Sequence, residues 1–356
     1  MSRTAKPGTE PAPDAASPTK ILIIRLRRIG DVVMTTPAVA VLRRAFPQAM
    51  ITYLIEEPFR RLVEGHPDID RVIALPERQK VGELAALVRR IRKEGFDAVL
   101  DFHGGPRASF IAFFSGAKRK IGYETKYRRF IYDVKIPRGR PEGPIHSVEN
   151  HLNLVRALGV EAAEAPRLKL PKAAEEEIRR IDRIWKENHL SGSKVVAVHI
   201  GAGNRFRDWG AGNWAALTEM LGREDLVRVI LVGGEDGRER EKEIRAHTGE
   251  QPVPLAGRLN LAELGEVLGR VDLFIGPDSG PMHIAAAAGA PIVALFGPTL
   301  PAHFAPWRAK AVLVEKSLDC RPCRQRECAH QDFRCILGIT VEDVLAAARQ
   351  LLKTSS

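Results

Sequence analysis

The sequence predicts an α/β protein with two Rossmann-like domains whose parallel sheets face a central cleft. Short runs rich in β-branched residues alternate with amphipathic segments of helical length from residue 21 onward, a pattern typical of parallel sheets covered by helices. The alternation starts again at residue 194, and 356 residues exceed the size at which a single core usually stops growing. Ligands in such folds bind at the carboxyl ends of the strands, so we expect the functional site in the cleft.

In the first half, apolar runs predict four strands and apolar periodicity predicts two helices. The helices cover 35–45, with Ala38, Val41, Leu42 and Ala45 on one face, and 83–94. The strands cover 21–26, 51–56, 71–76 and 98–102. Residues 1–19 are rich in Pro, Ala, Ser and Thr and lack the apolar core of a signal peptide, so we expect a disordered leader. The N-terminal domain is then 20–190.

The second half repeats this organisation. Its predicted strands cover 194–200, 227–234, 273–276 and 291–297. A charged helical stretch, AAEEEIRRIDRIWKENHL, and the Ser-Gly-Ser that follows it place the domain boundary near residue 190. The C-terminal domain is then 191–339. A last helix, within 340–356, has Thr340 at its N-cap and Asp343 three residues later.

Positive charge is concentrated in the first half of the chain. Residues 20–140 carry 25 Lys and Arg against 13 Asp and Glu, a balance of +12, within a total of +11. Such a surface favours an anionic partner: nucleic acid, a phosphorylated glycolipid or a membrane surface; a basic surface without a partner is the alternative. No stretch approaches the roughly 20 apolar residues that span a bilayer. We therefore expect a soluble, cytoplasmic protein.

The stretch GPDSGPMHIAAAAGAPIVALFGP, residues 276–298, predicts a phosphate site. A strand ends at Gly276, and a turn through Asp278, Ser279 and Gly280 opens a helix of small residues. The free N–H groups at the start of a helix bind phosphate. His283, one turn inside the helix, faces the phosphates or packs in the core. The alternative is a capped helix without a ligand.

The stretch LRRIGDVVMTTPAVAVLRRAFP, residues 26–47, predicts a general base. Asp31 follows the first strand, where a carboxylate can accept a proton from a hydroxyl group. The alternative is a helix cap. Arg25, Arg27 and Arg28 flank it and are candidates for binding phosphates or carboxylates of an acceptor, or are solvated surface residues.

A third stretch, HIGAGNRFRDWGAGNW, predicts a loop after the strand at 194–200 whose backbone can approach a ligand closely. Gly201, Ala202 and Gly203 permit that approach, and Arg207 is a candidate clamp for a pyrophosphate. The chain contains neither the dinucleotide motif G-x-G-x-x-G in this stretch nor a P-loop. These absences weigh against an NAD enzyme and an NTPase.

All four cysteines lie in CRPCRQRECAHQDFRC, at Cys320, Cys323, Cys328 and Cys335. Their density suggests a structural zinc or other metal site, although the spacing departs from that of paired zinc knuckles. Reduced thiols and redox-labile disulfides are the alternatives.

Taken together, RRIGDVVMTTPAVAVLRRAFP, FRDW at 206–209 and DSGPMHIAAAAGAPIVALFGPTLP at 278–301 resemble glycosyltransferase family 9, the ADP-heptose:lipopolysaccharide heptosyltransferases. The resemblance implies a GT-B fold, with the acceptor on the N-terminal domain, the nucleotide sugar on the C-terminal domain, and the final helix crossing back to the N-terminal domain. FRDW is most similar to the heptosyltransferase III branch, which adds a side heptose to the core.

The same resemblance implies roles for individual residues. Asp31 corresponds to the general base and Asp278 to a contact with the heptose hydroxyls. The amides of Ser279, Gly280 and Met282, assisted by Arg207, correspond to the diphosphate cradle. Glu239 corresponds to a ribose contact. Gly201 and Ala202 replace hydroxylated residues of some relatives, which removes their side-chain hydrogen bonds to phosphate.

The implied reaction is an inverting transfer of heptose from ADP-L-glycero-D-manno-heptose to the lipopolysaccharide inner core, without a required metal. The expected protein is a monomer at the cytoplasmic face of the inner membrane. Two other functions stay open: a GT-B enzyme with another nucleotide sugar or glycan acceptor, and a basic nucleic-acid-binding module with a four-cysteine metal site. The second lacks clustered aromatics and any known nucleic-acid motif.

Overall fold

The computed structural model describes residues 17–125, 130–139, 143–162, 164–201, 203–249 and 252–353. Most of the expected leader, residues 1–16, lies outside this part of the chain. Two six-stranded sheets of entirely parallel strands confirm the prediction of an α/β protein built from two similar units. No helix among the described residues has the length and apolarity that crossing a membrane requires.

The first sheet has the order β3-β2-β1-β4-β5-β6. Ile21 to Ile24 of its central strand are all buried, because helices cover both faces of a parallel sheet. The elements of this domain are β1 (Lys20–Ile24), α1 (Ile29–Val33), α2 (Thr36–Ala45), β2 (Met50–Glu56), a 3₁₀ helix (Glu57–Leu62), β3 (Arg71–Leu75), α3 (Val81–Glu94), β4 (Ala98–Asp101), α4 (Pro106–Phe114), β5 (Arg119–Tyr123), β6 (Val134–Ile136) and α5 (Ser147–Arg156).

The second sheet has the order β12-β11-β10-β7-β8-β9, the same topology as the first when its strands are counted from β7. Both sheets thus follow the Rossmann strand order. The elements are α6 (Glu175–Glu187), β7 (Lys194–His199), a 3₁₀ turn (Arg205–Arg207), α7 (Ala211–Gly222), β8 (Val227–Val232), a 3₁₀ turn (Glu235–Gly237), α8 (Arg238–Ala246), β9 (Val253–Pro254), α9 (Leu261–Leu268), β10 (Leu273–Pro277), α10 (Gly280–Ala288), β11 (Ile292–Phe296), α11 (Pro301–Phe304), β12 (Ala311–Glu315), α12 (Arg334–Leu337) and α13 (Val341–Lys353).

Helix α6 bridges the two domains, although the sequence assigns it to the first. It packs against α9 of the second domain, and Arg180 pairs with Glu263 there. On the same face of α6, Glu177 pairs with Arg61 of the first domain and accepts a hydrogen bond from Asn260 of the second. We propose that the domain boundary lies ahead of α6, because most of the helix packing is with the second domain.

The final helix, which the sequence expects to cross back to the first domain, makes its main packing contacts with the second domain. α13 packs against α7, β10, β11 and β12 of the second domain. Its buried side chains, such as Leu345 and Leu351, join a core cluster that also contains Trp209 and Trp214. The indole of Trp209 donates a hydrogen bond to the carbonyl of Ile339, just before the helix. The apolar face of α13 is thereby covered within its own domain.

We expect Leu351→Ala to lower the free energy of unfolding by about 2 to 5 kcal/mol, the usual cost of removing a buried leucine side chain. Leu351 is 4% exposed in this cluster. The matched control is Leu337→Ala, because Leu337 is 45% exposed. Urea denaturation followed by circular dichroism would measure both variants. Equal denaturation midpoints for the two would contradict the packing of α13 described above.

Candidate active site

The two sheets face a cleft of about 680 Å³. This volume is within the range of small-molecule sites. Asp31 enters the cleft from the first domain, just after β1, and Asp278 and Ser279 enter it from the second domain, just after β10. The carboxyl ends of the central strands therefore deliver the predicted residues to one place, as the fold requires.

A larger cavity, about 1010 Å³, lies at the opposite end of the first domain, near the start of β1 and β4. Its charged side chains serve the local structure: Asp97 binds Thr19 and Lys118, and Arg119 donates to the carbonyl of Ala157. Since ligands of parallel sheets bind at the carboxyl ends of the strands, the interdomain cleft is the candidate site.

The first turns of α1 and α10 touch across the cleft, and two glycines permit this contact. A Cβ on Gly280 would lie 2.6 Å from the Cβ of Ile29 and 3.3 Å from the backbone nitrogen of Gly30. A Cβ on Gly30 would lie 2.6 Å from the ring of His283 and 3.5 Å from the Cα of Gly280. A side chain at position 280 would push α1 away through Ile29, and a side chain at position 30 would displace the His283 ring.

Asp31 is held by Arg25, which the sequence suggests as an acceptor-binding residue. The Arg25 Nη2 lies 2.7 Å from Asp31 Oδ1, and its Nη1 donates to the carbonyl of Phe102 at 2.7 Å. The Arg25 side chain is 8% exposed, whereas that of Asp31 is 29% exposed. A buried cation therefore orients the carboxylate, and part of the carboxylate stays open to the cleft.

Of the other two arginines, Arg28 lines the cleft and Arg27 does not. Both are exposed. Arg28 precedes α1 with a φ of 73°, which is uncommon for a residue with a side chain. The positive charge of Arg27 acts on His103, whose pKa is lowered to about 4 mainly by burial and further by Arg25 and Arg27.

The start of α10 presents backbone amides to the cleft. Ser279 is the N-cap, but its side chain makes no capping hydrogen bond; its Oγ lies 3.3 Å from His199 Nδ1 instead. Gly280 is the first helical residue and Pro281 the second. Amides in this first turn have no intrahelical acceptor, and the positive end of the helix dipole favours an anion here.

Buried Asp278 and partly exposed Arg207 form a pair beside this helix start. Asp278 is 3% exposed, and its Oδ2 accepts a hydrogen bond of 2.6 Å from Thr299. Arg207 Nη1 donates to the Asp278 carbonyl at 2.8 Å and lies 3.3 Å from Asp278 Oδ2. The pair fixes a cation next to the amides of α10.

Gln325 and Asn204 are site residues that sequence reasoning missed. Gln325 Oε1 accepts hydrogen bonds from Arg207 Nε at 3.0 Å and from Asn204 Nδ2 at 2.8 Å, and both new residues line the cleft. Gln325 belongs to the cysteine-rich segment, in which the cysteines are the only residues with a recognisable pattern. No local pattern in the sequence signals a contact across 118 positions with Arg207.

Two buried histidines of the site are neutral at physiological pH. Burial lowers the pKa of His283 and of His199 to about 4 each. The Nδ1 of His283 is buried without a hydrogen-bond partner in the described part of the chain. Positive charge in the cleft therefore comes from arginines: Arg28, Arg207 and Arg324.

Other predicted residues have different places. Gly201 and Gly203 line the cleft, and Ala202 lies outside the described residues. Glu239 does not line the cleft: its side chain is 84% exposed and pairs with Lys242. Asp236, three positions earlier, lines the cleft instead.

The metal-site hypothesis for the cysteines is not supported. Cys320, Cys323, Cys328 and Cys335 are free thiols of intermediate exposure. Within the described ranges, no group of three or more His, Cys, Asp or Glu side chains is placed to hold a metal ion. Hydrogen bonds hold the segment instead, including one from Arg321 to the Thr299 carbonyl and one from the Cys323 amide to the Pro298 carbonyl.

Comparison with known proteins gives consistent matches. The model of glycosyltransferase family 9 (heptosyltransferase) matches residues 84–333. Lipopolysaccharide heptosyltransferase 3 of Escherichia coli is 25% identical, with 93% of this chain and 98% of that protein covered. The crystal structure of the glycosyl transferase family 9 from Veillonella parvula DSM 2008 superposes with a TM-score of 0.84 at 26% identity, covering 94% of this chain and 97% of that one. The structure of E. coli ADP-heptose LPS heptosyltransferase II superposes with a TM-score of 0.78 at 23% identity, covering 94% and 99%.

We expect Gly280→Ala to separate the two domains, because the new Cβ would meet Ile29 and the backbone of Gly30. Small-angle scattering should show a larger radius of gyration, and the thermal midpoint should fall. Gly212→Ala is the matched control: Gly212 is also helical and has open space around its Cβ position, so alanine there should be neutral or slightly stabilising. Unchanged dimensions of the Gly280→Ala variant would show that this contact does not set the domain spacing.

Proposed function

The chain belongs to glycosyltransferase family 9, the heptosyltransferases, as its motifs predicted, and from this premise we propose that it transfers heptose from ADP-heptose to a hydroxyl group of the lipopolysaccharide core. The observation that carries the proposal is the shared cleft. A partly open carboxylate, Asp31, lines it from one domain, and the uncapped start of α10 lines it from the other.

The second domain supplies the features that a sugar diphosphate needs. The amides of Ser279, Gly280 and Met282 lie at the positive end of a nine-residue helix, and Arg207 stands beside them. Together they would bind the diphosphate and stabilise the negative charge that develops on departing ADP. In this proposal, Asp278 accepts hydrogen bonds from the sugar hydroxyls. Asp236, rather than Glu239, is the acidic residue of this region that lines the cleft, so we assign the ribose contact to it.

Asp31 is the proposed general base. It accepts the proton of the acceptor hydroxyl as that oxygen forms a bond to the anomeric carbon, and the bond from this carbon to the ADP oxygen breaks. A single displacement of this kind inverts the anomeric carbon. Arg25 acts as a positioning residue, because its two hydrogen-bonding nitrogens tie Asp31 to the Phe102 carbonyl.

The acceptor side is proposed to lie on the first domain. Arg28 is exposed in the cleft, and Arg138 donates to the His103 carbonyl and stacks 4.2 Å above the Tyr123 ring. Cations in these positions suit the phosphate or carboxylate groups of a core glycolipid. The direct test is incubation of the protein with ADP-heptose and truncated core acceptors, followed by mass spectrometry of the products. UDP- and GDP-sugars in parallel reactions would reveal a different donor.

Asp31→Asn should retain ADP affinity and lose turnover by about 10²- to 10⁴-fold, the scale of acid–base catalysis. Calorimetry with ADP would measure affinity, and release of ADP from ADP-heptose in the presence of acceptor would measure turnover. Asp319→Asn serves as a control at an exposed aspartate outside the cleft. Wild-type turnover in Asp31→Asn would exclude Asp31 as the base.

Gln325→Ala should weaken ADP binding about tenfold or more, because Arg207 loses a hydrogen bond that fixes its direction, and such bonds to charged groups contribute about 1.5 to 3 kcal/mol. Gln331→Ala in the same segment is the matched control, because Gln331 is exposed and does not line the cleft. Calorimetry with ADP compares the two. If both variants bind ADP equally well, Gln325 does not position Arg207 for the nucleotide.

A further inference from the structure

Four phenylalanine side chains form one exposed apolar surface on the first domain. Phe110, Phe113 and Phe114 lie on α4, and Phe130 joins them from the loop before β6. The ring centroids are 4.7 Å apart for Phe110 and Phe114, 4.9 Å for Phe113 and Phe114, and 6.0 Å for Phe113 and Phe130. We call these four residues the phenylalanine surface.

The exposure of these rings is not required by the packing of α4. The opposite side of the helix already covers the sheet, since Ala108, Ile111 and Ala112 are fully buried. The three helical phenylalanines are each 41% exposed, and Phe130 is 75% exposed. Single exposed apolar residues are ordinary, but a contiguous aromatic patch on a folded domain marks an interaction surface.

Cations adjoin the phenylalanine surface. Arg92 of α3 is exposed and its side chain lies against Gly116, two residues after Phe114. The Lys118 side chain is 82% exposed. Arg89, Arg90 and Lys93 are further exposed cations of α3, which packs against α4. Glu94 and Asp97 are paired with Arg71, Arg90 and Lys118, which leaves Glu83 of α3 against Arg89, Arg92 and Lys93. The surface around the rings is therefore positive.

We propose that the phenylalanine surface docks the first domain on an anionic phospholipid membrane, with the rings in the interfacial layer and the surrounding cations on the lipid headgroups. Aromatic rings enter this layer readily, and basic side chains near an anionic leaflet strengthen the binding. A second copy of the chain fits less well, because two like-charged faces would oppose each other. This inference rests on the proposed function, whose acceptor is a glycolipid held in a membrane.

The first test is co-sedimentation of the full-length protein with vesicles of phosphatidylcholine alone or of phosphatidylcholine with phosphatidylglycerol. We expect binding to the anionic vesicles only. Binding should be lost at about 1 M salt, where the Debye length is about 3 Å and the attraction between the cations and the headgroups is screened. Phe113→Ser with Phe130→Ser should reduce binding at least about tenfold, given the apolar area removed. Leu226→Ser with Leu313→Ser is the control, at exposed apolar residues of the second domain.

Three results would overturn the inference: equal binding of the phenylalanine variant and the wild type, equal binding to neutral and anionic vesicles, or a dimer in sedimentation velocity that only the phenylalanine substitutions dissociate. The last would assign the surface to a second copy.

The second test separates this inference from the proposed function. Turnover is measured with a deacylated, water-soluble core acceptor and with the acylated acceptor in anionic vesicles. The phenylalanine variant should match the wild type on the first and lose about tenfold on the second, as expected from its weaker membrane binding. Equal wild-type and variant turnover on both would refute docking and leave the transferase intact. Vesicle binding that depends on the phenylalanines, without transfer to either acceptor, would refute the transferase and leave docking intact.

Discussion

The close contact between α1 and α10 is the constraint on which the arrangement of the site depends. The catalytic candidates lie on two separate sheets, so nothing within either domain sets the distance between them. Gly30 and Gly280 let the first turns of the two helices approach until backbone meets backbone. A second set of bonds, from His146 to the Ala305 carbonyl and from His303 to the Ile145 carbonyl, joins the domains at another point. These contacts give the cleft its width.

Within this frame, buried Arg25 and half-buried Arg207 contact protein groups even without a ligand. Arg25 joins Asp31 to the end of β4, and Arg207 joins Asp278 to Gln325. Buried charges are costly unless they are paired and hydrogen-bonded, which explains why each cation has defined partners. The same bonds hold the groups in one orientation before a reaction. Charges that are oriented in advance in this way are usually the largest contribution to stabilising a transition state.

The two domains differ in surface character as well as in the groups they supply. Residues 20–140 have a balance of +12, whereas residues 141–356 carry 28 Lys and Arg against 29 Asp and Glu. The exposed phenylalanines also lie on the first domain. This difference agrees with the proposal that the first domain binds a membrane-held acceptor and the second a nucleotide sugar. The cysteine-rich segment belongs to the second role, since it holds Gln325 against Arg207.

The sequence by itself determined the repeated α/β pattern and the positions of Asp31 and Asp278 after strands, because strand and helix periodicity and the turns after strands are local properties. The family followed from the resemblance of three motifs to known family members. Only the tertiary structure decided that Arg25 is buried against Asp31, that Gln325 contacts Arg207, and that α13 packs on its own domain. These outcomes depend on contacts between distant segments. A buried charge needs an ion-pair or hydrogen-bond partner, and an apolar face needs a packing partner. The sequence shows these needs, but only the folded structure shows which residues meet them.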